Sequence, residues 1–192
     1  MTLIDKALLE MEKLKSKSKF EKMLLFTSIF TELLEEYNIK PIIVGGLSVE
    51  IYTRNDYTTV DIDLVLSGRD KANEILQKLG FEKLGKDWYH EDLEIALEIP
   101  DNVLDGSYEK VLILNLPNNK KVYVIGIEDI LADRLRACVH WKSTADCEWG
   151  YRLLFIHYQD IDIEYLIEKS KKEQTYSELN KWLKTYEEMN KK

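Results

Sequence analysis

Cysteines are scarce in this 192-residue sequence, and its basic residues are outnumbered, with 27 Lys and Arg against 35 Asp and Glu. The resulting net charge of −8 argues against a general nucleic-acid binder, whose affinity comes mostly from basic groups on phosphates, although it allows a local basic patch. The two cysteines, Cys138 and Cys147, lie in a helix-like region. We therefore expect buried thiols rather than a disulfide, in keeping with a reducing cytosol.

Long apolar runs are also missing. No run approaches the roughly 20 residues that span a bilayer, and the segment Met1–Lys6 lacks the apolar region of a signal peptide. We expect a cytoplasmic protein with no membrane partner. There is no Gly-x-x-x-x-Gly-Lys-Ser/Thr loop, which argues against a P-loop fold. The three histidines, His90, His140 and His157, are dispersed without metal-ligand spacing.

The apolar pattern predicts helices at both ends of the chain and a β-rich centre. Helical spacing covers residues 8–34, where Lys15–Lys19 joins two helices, and residues 47–52 and 69–79. Predicted strands cover 42–44, 58–66, 88–90, 93–99, 110–116 and 121–125, and predicted C-terminal helices cover 127–140, 145–157, 163–171 and 176–189. We predict an α+β fold: a mixed sheet covered by helices in residues 1–126, then a helical subdomain in residues 127–192.

Two aspartates one residue apart, Asp61 and Asp63, are the most informative feature of the chain. Strands disfavour Asp, yet residues 58–66 alternate as a strand does, with apolar side chains on one face and both carboxylates on the other. Their Cα atoms would lie roughly 6.5–7 Å apart. Because two like charges this close repel, the pair predicts a site for a hard cation, most simply Mg²⁺.

A Gly45–Gly46 turn follows the apolar run 41–44, just upstream of the aspartates. Glycine lets the backbone approach a phosphate closely, and the helix that begins here offers free N–H groups to an anion. Ser48, in the first turn, would add a hydroxyl donor. Arg54, between this helix and the acidic strand, fits a phosphate contact and a surface position equally well.

Together, Ile43-Val44-Gly45-Gly46 and Thr59-Val60-Asp61-Ile62-Asp63-Leu64 resemble the signature of the nucleotidyltransferase superfamily, the DNA polymerase beta-like fold. The resemblance covers about residues 41–99. It implies Mg²⁺ held by Asp61, Asp63 and a third carboxylate on a later strand. It also implies an NTP substrate, and transfer of its nucleoside monophosphate to a hydroxyl of an RNA, a protein or a small molecule.

Glu94 and Glu98 both fit the third carboxylate, because spacing places them on the same face of one predicted strand. We favour Glu98 since it lies within the more continuous apolar run 95–99. The segment Ile127–Arg134 resembles the helical tail of small bacterial nucleotidyltransferase-like proteins, including those of toxin–antitoxin systems. That second resemblance makes a toxin–antitoxin or stress-related role plausible.

The Asp-x-Asp tripeptide alone proves little, because Asp160-Ile161-Asp162 repeats it ahead of a helical pattern, where an aspartate is best interpreted as an N-cap.

The alternative to an enzyme is a non-catalytic binding module, such as an antitoxin or regulatory subunit. A lysine ion-paired into the acidic site would favour the module. A homodimer or a partner protein is compatible with the amphipathic helices. A solvated face is favoured over a nucleotide contact for four basic residues of the later helices: Arg134, Arg136, Lys142 and Arg152.

Overall fold

The computed structural model describes residues 1–190, in which eight α-helices surround one seven-stranded mixed sheet. The helices are α1 (Leu3–Glu12), α2 (Lys19–Glu35), α3 (Gly45–Tyr52), α4 (Arg69–Lys78), α5 (Ile127–His140), α6 (Thr144–His157), α7 (Ile163–Lys172) and α8 (Tyr176–Asn190). The strands are β1 (Ile42–Val44), β2 (Asp61–Val65), β3 (Glu82–Leu84), β4 (Asp87–His90), β5 (Ile95–Glu98), β6 (Leu112–Leu116) and β7 (Lys120–Val124). The predicted α+β fold class is confirmed.

The strand order is β3-β4-β5-β2-β1-β7-β6, so the acidic strand β2 lies at the centre of the sheet. It pairs antiparallel with β1 and parallel with β5. Three predicted strands start two or three residues too early, among them the one predicted over 110–116, which begins at Leu112, and β3 is not among the predicted strands. The second strand begins at Asp61 rather than residue 58, which leaves Val60 outside the sheet and 68% exposed. The fifth begins at Ile95 rather than residue 93, after Glu94 adopts a positive φ of 54°.

The break between the first two helices follows from capping. The Ser18 hydroxyl accepts a hydrogen bond from the Glu21 N–H, and the Glu21 carboxylate accepts one from the Ser18 N–H. This capping box fixes the start of α2 within the predicted Lys15–Lys19 junction.

Apolar side chains pack on both faces of the sheet. On one face Ile43, Ile62 and Leu64 form a core with α1, α2 and α4. On the other face Ile42 and Val65 join a second core with α3 and the C-terminal helices. The C-terminal helices therefore pack onto the face of the sheet that carries the aspartates. Their assignment to a separate subdomain from residue 127 stays a prediction.

The prediction of free thiols is wrong. Cys138 and Cys147 form a disulfide, with an S–S distance of 2.02 Å and a Cα–Cα distance of 4.6 Å. The cysteines lie on α5 and α6, which a short turn joins into a packed helical hairpin. That packing brings together two side chains nine positions apart in sequence. The cysteines therefore lend no support to the expected reducing compartment. None of the helices described in residues 1–190 is long and apolar enough to cross a bilayer.

Candidate active site

Three carboxylates share one face of the central sheet. Asp61 lies opposite Ala96 on β5, and two residues further along both strands Asp63 lies opposite Glu98. Residues opposite each other in paired strands point to the same face, so Asp61, Asp63 and Glu98 project together. On the other side of β2, Asp63 lies opposite Val44, the residue before the glycine turn. The sheet register therefore brings both sequence motifs to one place.

The glycine turn is shaped around Asp63. Gly45 has a φ of +58°, and a Cβ built on it would lie 2.2 Å from Asp63 Oδ2. Both the backbone conformation and the space therefore exclude a side chain. A Cβ on Gly46 would lie 2.4 Å from Thr59 Oγ1. Gly45, the first residue of α3, therefore lies against the Asp63 carboxylate, and the nearby Gly46 N–H favours the charged form of that carboxylate.

The acidic site has an excess of negative charge. Burial and, to a smaller extent, the charges of Asp61 and Glu98 raise the pKa of Asp63 to about 6. The charge of Arg134 and the Gly46 N–H act in the opposite direction without cancelling this effect. A cation beside Asp63 would relieve the repulsion.

Only one of the two candidate third carboxylates joins this site. Glu94 lies in the turn before β5, its side chain is 79% exposed, and its nearest cation is Lys22 at 3.9 Å. Glu98 lies beside Asp63 in the sheet register. The structure therefore places the favoured candidate, Glu98, on the same sheet face as Asp61 and Asp63.

The sequence interpretation missed Lys86. Its Nζ lies 2.6 Å from Glu98 Oε1 and donates a hydrogen bond to it. Lys86 lies between Leu84 and Asp87, which are paired across the β3–β4 hairpin. The dipeptide Gly85-Lys86 is a turn pattern, but nothing in the local sequence indicates that the turn reaches the acidic strand.

Two residues predicted to bind phosphate are placed differently from each other. The Ser48 side chain is fully buried, and its hydroxyl donates to the Gly45 carbonyl at 2.7 Å. Because that hydroxyl stabilises the first turn of α3 and does not reach the surface, we leave Ser48 out of the proposed site. Arg54 is exposed in the α3–β2 connection with a φ of +53°. Its contact with phosphate stays a prediction.

The prediction of a solvated face is wrong for two of the four basic residues. Arg134, on α5, is only 16% exposed and donates to Asp133 and Asp146, each at 2.7 Å. Arg136 is half-buried and pairs with Asp105, Asp133 and Glu173. Tertiary ion pairs across the helical bundle, which helical spacing does not reveal, hold both guanidinium groups. Lys142 is exposed, as expected, and Arg152 is half-exposed beside Glu148.

The donor set fits Mg²⁺, because carboxylate oxygens are its preferred protein ligands and Asp63 carries uncompensated charge. As placed in residues 1–190, no three His, Cys, Asp or Glu side chains converge closely enough to hold an ion. Asp61 and Glu98 are each engaged elsewhere: Asp61 Oδ1 accepts from the Thr59 hydroxyl at 3.0 Å, and Glu98 accepts from Lys86. Side-chain rearrangement is therefore required for the three to act as one ligand set.

No protein-family model matches the sequence, and no curated protein matches it. The fold is shared with solved structures that are each 16% identical to this chain. A crystal structure of ANT(2″)-Ia in complex with adenylyl-2″-tobramycin has a TM-score of 0.54, covering 76% of this chain and 92% of that one. A solution structure of ANT(2″)-Ia, an antibiotic-resistance factor, has a TM-score of 0.51, covering 79% and 91%.

An antigenic nucleotidyltransferase-like protein from Paracoccidioides brasiliensis has a TM-score of 0.56, and the match covers 90% of this chain and 93% of that one. The chain has the nucleotidyltransferase fold that the glycine turn and the Asp-x-Asp strand predict.

Proposed function

We propose that this chain is a Mg²⁺-dependent nucleotidyltransferase that moves a nucleoside monophosphate from an NTP to a hydroxyl acceptor. The observation that carries the proposal is the shared sheet face of Asp61, Asp63 and Glu98 beside the Gly45–Gly46 turn. A general fold likeness alone would not indicate an activity, since one fold hosts many functions. The placement of these carboxylates beside that turn supports the specific chemistry.

Each group has a role in the proposed reaction. Asp61, Asp63 and Glu98 would hold Mg²⁺, which when bound neutralises triphosphate charge and polarises the attacking hydroxyl. The glycine turn lets Asp63 and Thr59 lie close against the start of α3, whose free backbone N–H groups would bind phosphate oxygens. The acceptor oxygen forms a bond to the α-phosphorus, and the bond from that phosphorus to the bridging oxygen breaks. Pyrophosphate leaves with the electron pair, and Glu98 accepts the hydroxyl proton.

A small molecule is the acceptor we propose first. The ANT(2″)-Ia structure contains an adenylylated small molecule, and this chain shares its fold. The net charge of −8 disfavours an RNA acceptor, whose phosphates require basic groups. RNA and protein side chains are the other acceptors to be tested. A toxin–antitoxin role, a homodimer or partner protein, and a cytoplasmic location stay predictions.

The first test is calorimetric titration of ATP, CTP, GTP and UTP into the protein with and without Mg²⁺. We expect Mg²⁺-dependent binding of at least one NTP by the wild type, and its loss in Asp61→Ala and Asp63→Ala. Asp160→Ala, in the second Asp-x-Asp, is the matched control and should bind like the wild type. Absence of Mg²⁺-dependent binding, or wild-type binding by both site variants, would contradict the proposal.

A non-catalytic binding module is the second candidate, and the ion pair between Lys86 and Glu98 favours it. Such a module would bind an NTP without transferring it. Labelled NTPs incubated with hydroxyl-bearing small molecules, total RNA and cell protein separate the two functions, because only an enzyme labels an acceptor. A protein that binds an NTP yet labels none of these acceptors would favour the module.

A further inference from the structure

We propose that the ammonium group of Lys86 pairs with the Glu98 carboxylate in the metal-free protein. A divalent cation that binds Glu98 displaces this ammonium group. The proposal rests on the proposed function, in which Glu98 completes the Mg²⁺ site with Asp61 and Asp63. It accounts for the ion pair that otherwise favours a non-catalytic module.

Lys86 lies over a row of carboxylates that extends beyond the predicted set. Asp87 lies opposite Glu98 across β4 and β5, and Glu98 lies opposite Asp63 across β5 and β2. The three side chains therefore project from one face in successive strands. The Lys86 ammonium bonds the central member, Glu98, at 2.6 Å, with Asp63 and Asp87 near enough to attract it.

Lys86 is the basic residue that forms an ion pair with this row of carboxylates. Within residues 1–190, no salt bridge joins Asp61, Asp63 or Asp87 to any basic side chain, and Glu98 pairs with Lys86 alone. Asp87 Oδ1 is buried without a hydrogen-bond partner, so the row is only partly compensated. A divalent cation would neutralise more of this charge than one ammonium group.

The position of Lys86 allows its ammonium group to move away from Glu98. It lies in the two-residue turn between Leu84 and Asp87, its side chain is 75% exposed, and it is preceded by Gly85. A Cβ built on Gly85 would have no atom within 4 Å, so the turn has open space around it. The lysine end of this ion pair is exposed to solvent, which weakens the attraction, so a bound cation can replace the ammonium group at small cost.

Competition between Lys86 and a cation for Glu98 has a measurable consequence. Any interaction that must break before a ligand binds lowers the apparent affinity of the protein for that ligand. We expect Lys86→Met to bind Mn²⁺ about 2- to 5-fold more tightly than the wild type, as an exposed ion pair implies. Mn²⁺ is the probe because it also takes carboxylate ligands and its free form is directly measured by electron paramagnetic resonance.

Three controls separate competition from a general change of charge. Lys83→Met removes one positive charge from the same hairpin without touching Glu98 and should change Mn²⁺ affinity less. In a Glu98→Gln background, Lys86→Met should increase Mn²⁺ affinity no more than Lys83→Met does, because the competing pair is already lost. Lys86→Arg keeps the ion pair and should bind Mn²⁺ no more tightly than the wild type. Equal melting temperatures exclude misfolding as a cause.

The outcomes distinguish this proposal from the proposed function. Mn²⁺ binding by the wild type with no gain in Lys86→Met, or with an equal gain in Lys83→Met, overturns the role of Lys86 alone. A gain from Lys86→Met in the Glu98→Gln background that exceeds the gain from Lys83→Met also overturns it. Absence of Mn²⁺ binding in the wild type and in every variant overturns both proposals.

Discussion

The tripeptide Asp-Ile-Asp occurs twice in this chain, and the two copies lie in opposite physical situations. Asp63 lies on the central strand β2, where burial and neighbouring carboxylates raise its pKa to about 6. Asp162 caps α7 by accepting a hydrogen bond from the Tyr165 N–H at 3.0 Å, and it pairs with Lys110 at 3.0 Å. That hydrogen bond and that ion pair lower the pKa of Asp162.

The contrast shows which observation distinguishes a functional acidic motif from a structural one. At Asp162 the protein itself supplies the compensating groups, so the charge stabilises the fold. At Asp63 the compensation is incomplete, so the charge costs stability unless a ligand supplies a cation. Incomplete compensation at a position fixed by a central strand and a glycine turn is typical of a binding site.

The largest difference between the two copies should appear in nucleotidyl transfer. We expect Asp63→Asn to lower the transfer rate about 10³-fold or more, because the substitution removes a charged ligand of the proposed Mg²⁺ site. Asp162→Asn should leave the rate within about twofold of the wild type, since Asn also caps helices. The measurement is the initial rate of acceptor labelling at saturating Mg²⁺ and NTP. Similar losses of transfer rate in both variants would contradict the distinction between the two Asp-Ile-Asp copies.

Much of the central fold is predictable from local patterns. Period-2 alternation locates β2 within a few residues, and the glycine pair locates the start of α3 beside it. The role of Asp162 as an N-cap is also predictable, because a cap depends on residues within one helical turn. These features depend on interactions close in sequence, which explains why sequence reasoning finds them.

The missed features depend on how neighbouring elements pair and pack in three dimensions. The contact between Lys86 and Glu98 needs β4 to pair with β5, and the disulfide needs α5 to pack against α6. The choice between Glu94 and Glu98 depends on where one strand begins, and a positive φ at Glu94 decides it. Composition suggested free thiols because it carries no information about which helices form a hairpin.

The second-largest difference should appear in folding stability without metal. We expect Asp63→Asn to stabilise the protein by about 1–2 kcal/mol at pH 7.5, after discounting the pKa shift for partial exposure. The neutral amide has nearly the same size and shape as the carboxylate but carries no charge to be buried. Chemical denaturation of both proteins in the presence of a chelator measures the difference.

The pH dependence of that gain identifies its cause. The pKa of Asp63 is raised from 3.8 in the unfolded chain to about 6 in the folded protein, so the ionised form is disfavoured by folding. Its cost is fully present above pH 6, falls as pH falls through this range, and is absent below the unfolded pKa. The advantage of Asp63→Asn should therefore shrink between pH 7 and pH 4. An advantage that is constant with pH would indicate a packing effect instead.

The smallest effect should come from the second copy, and it should have the opposite sign. Asp162→Ala should lower the melting temperature by a few degrees at pH 7, because the Tyr165 N–H loses its acceptor and Lys110 loses a partner. The pKa of Asp162 is lowered in the folded state, so its stabilisation is present above the ordinary Asp pKa and is lost as pH falls through the lowered value. Asp160→Ala, which removes no cap, is the control and should melt like the wild type. Asp162→Ala could instead stabilise the protein as Asp63→Asn does. That result would mean that excess negative charge, rather than the local hydrogen bond and ion pair, determines how both aspartates affect stability.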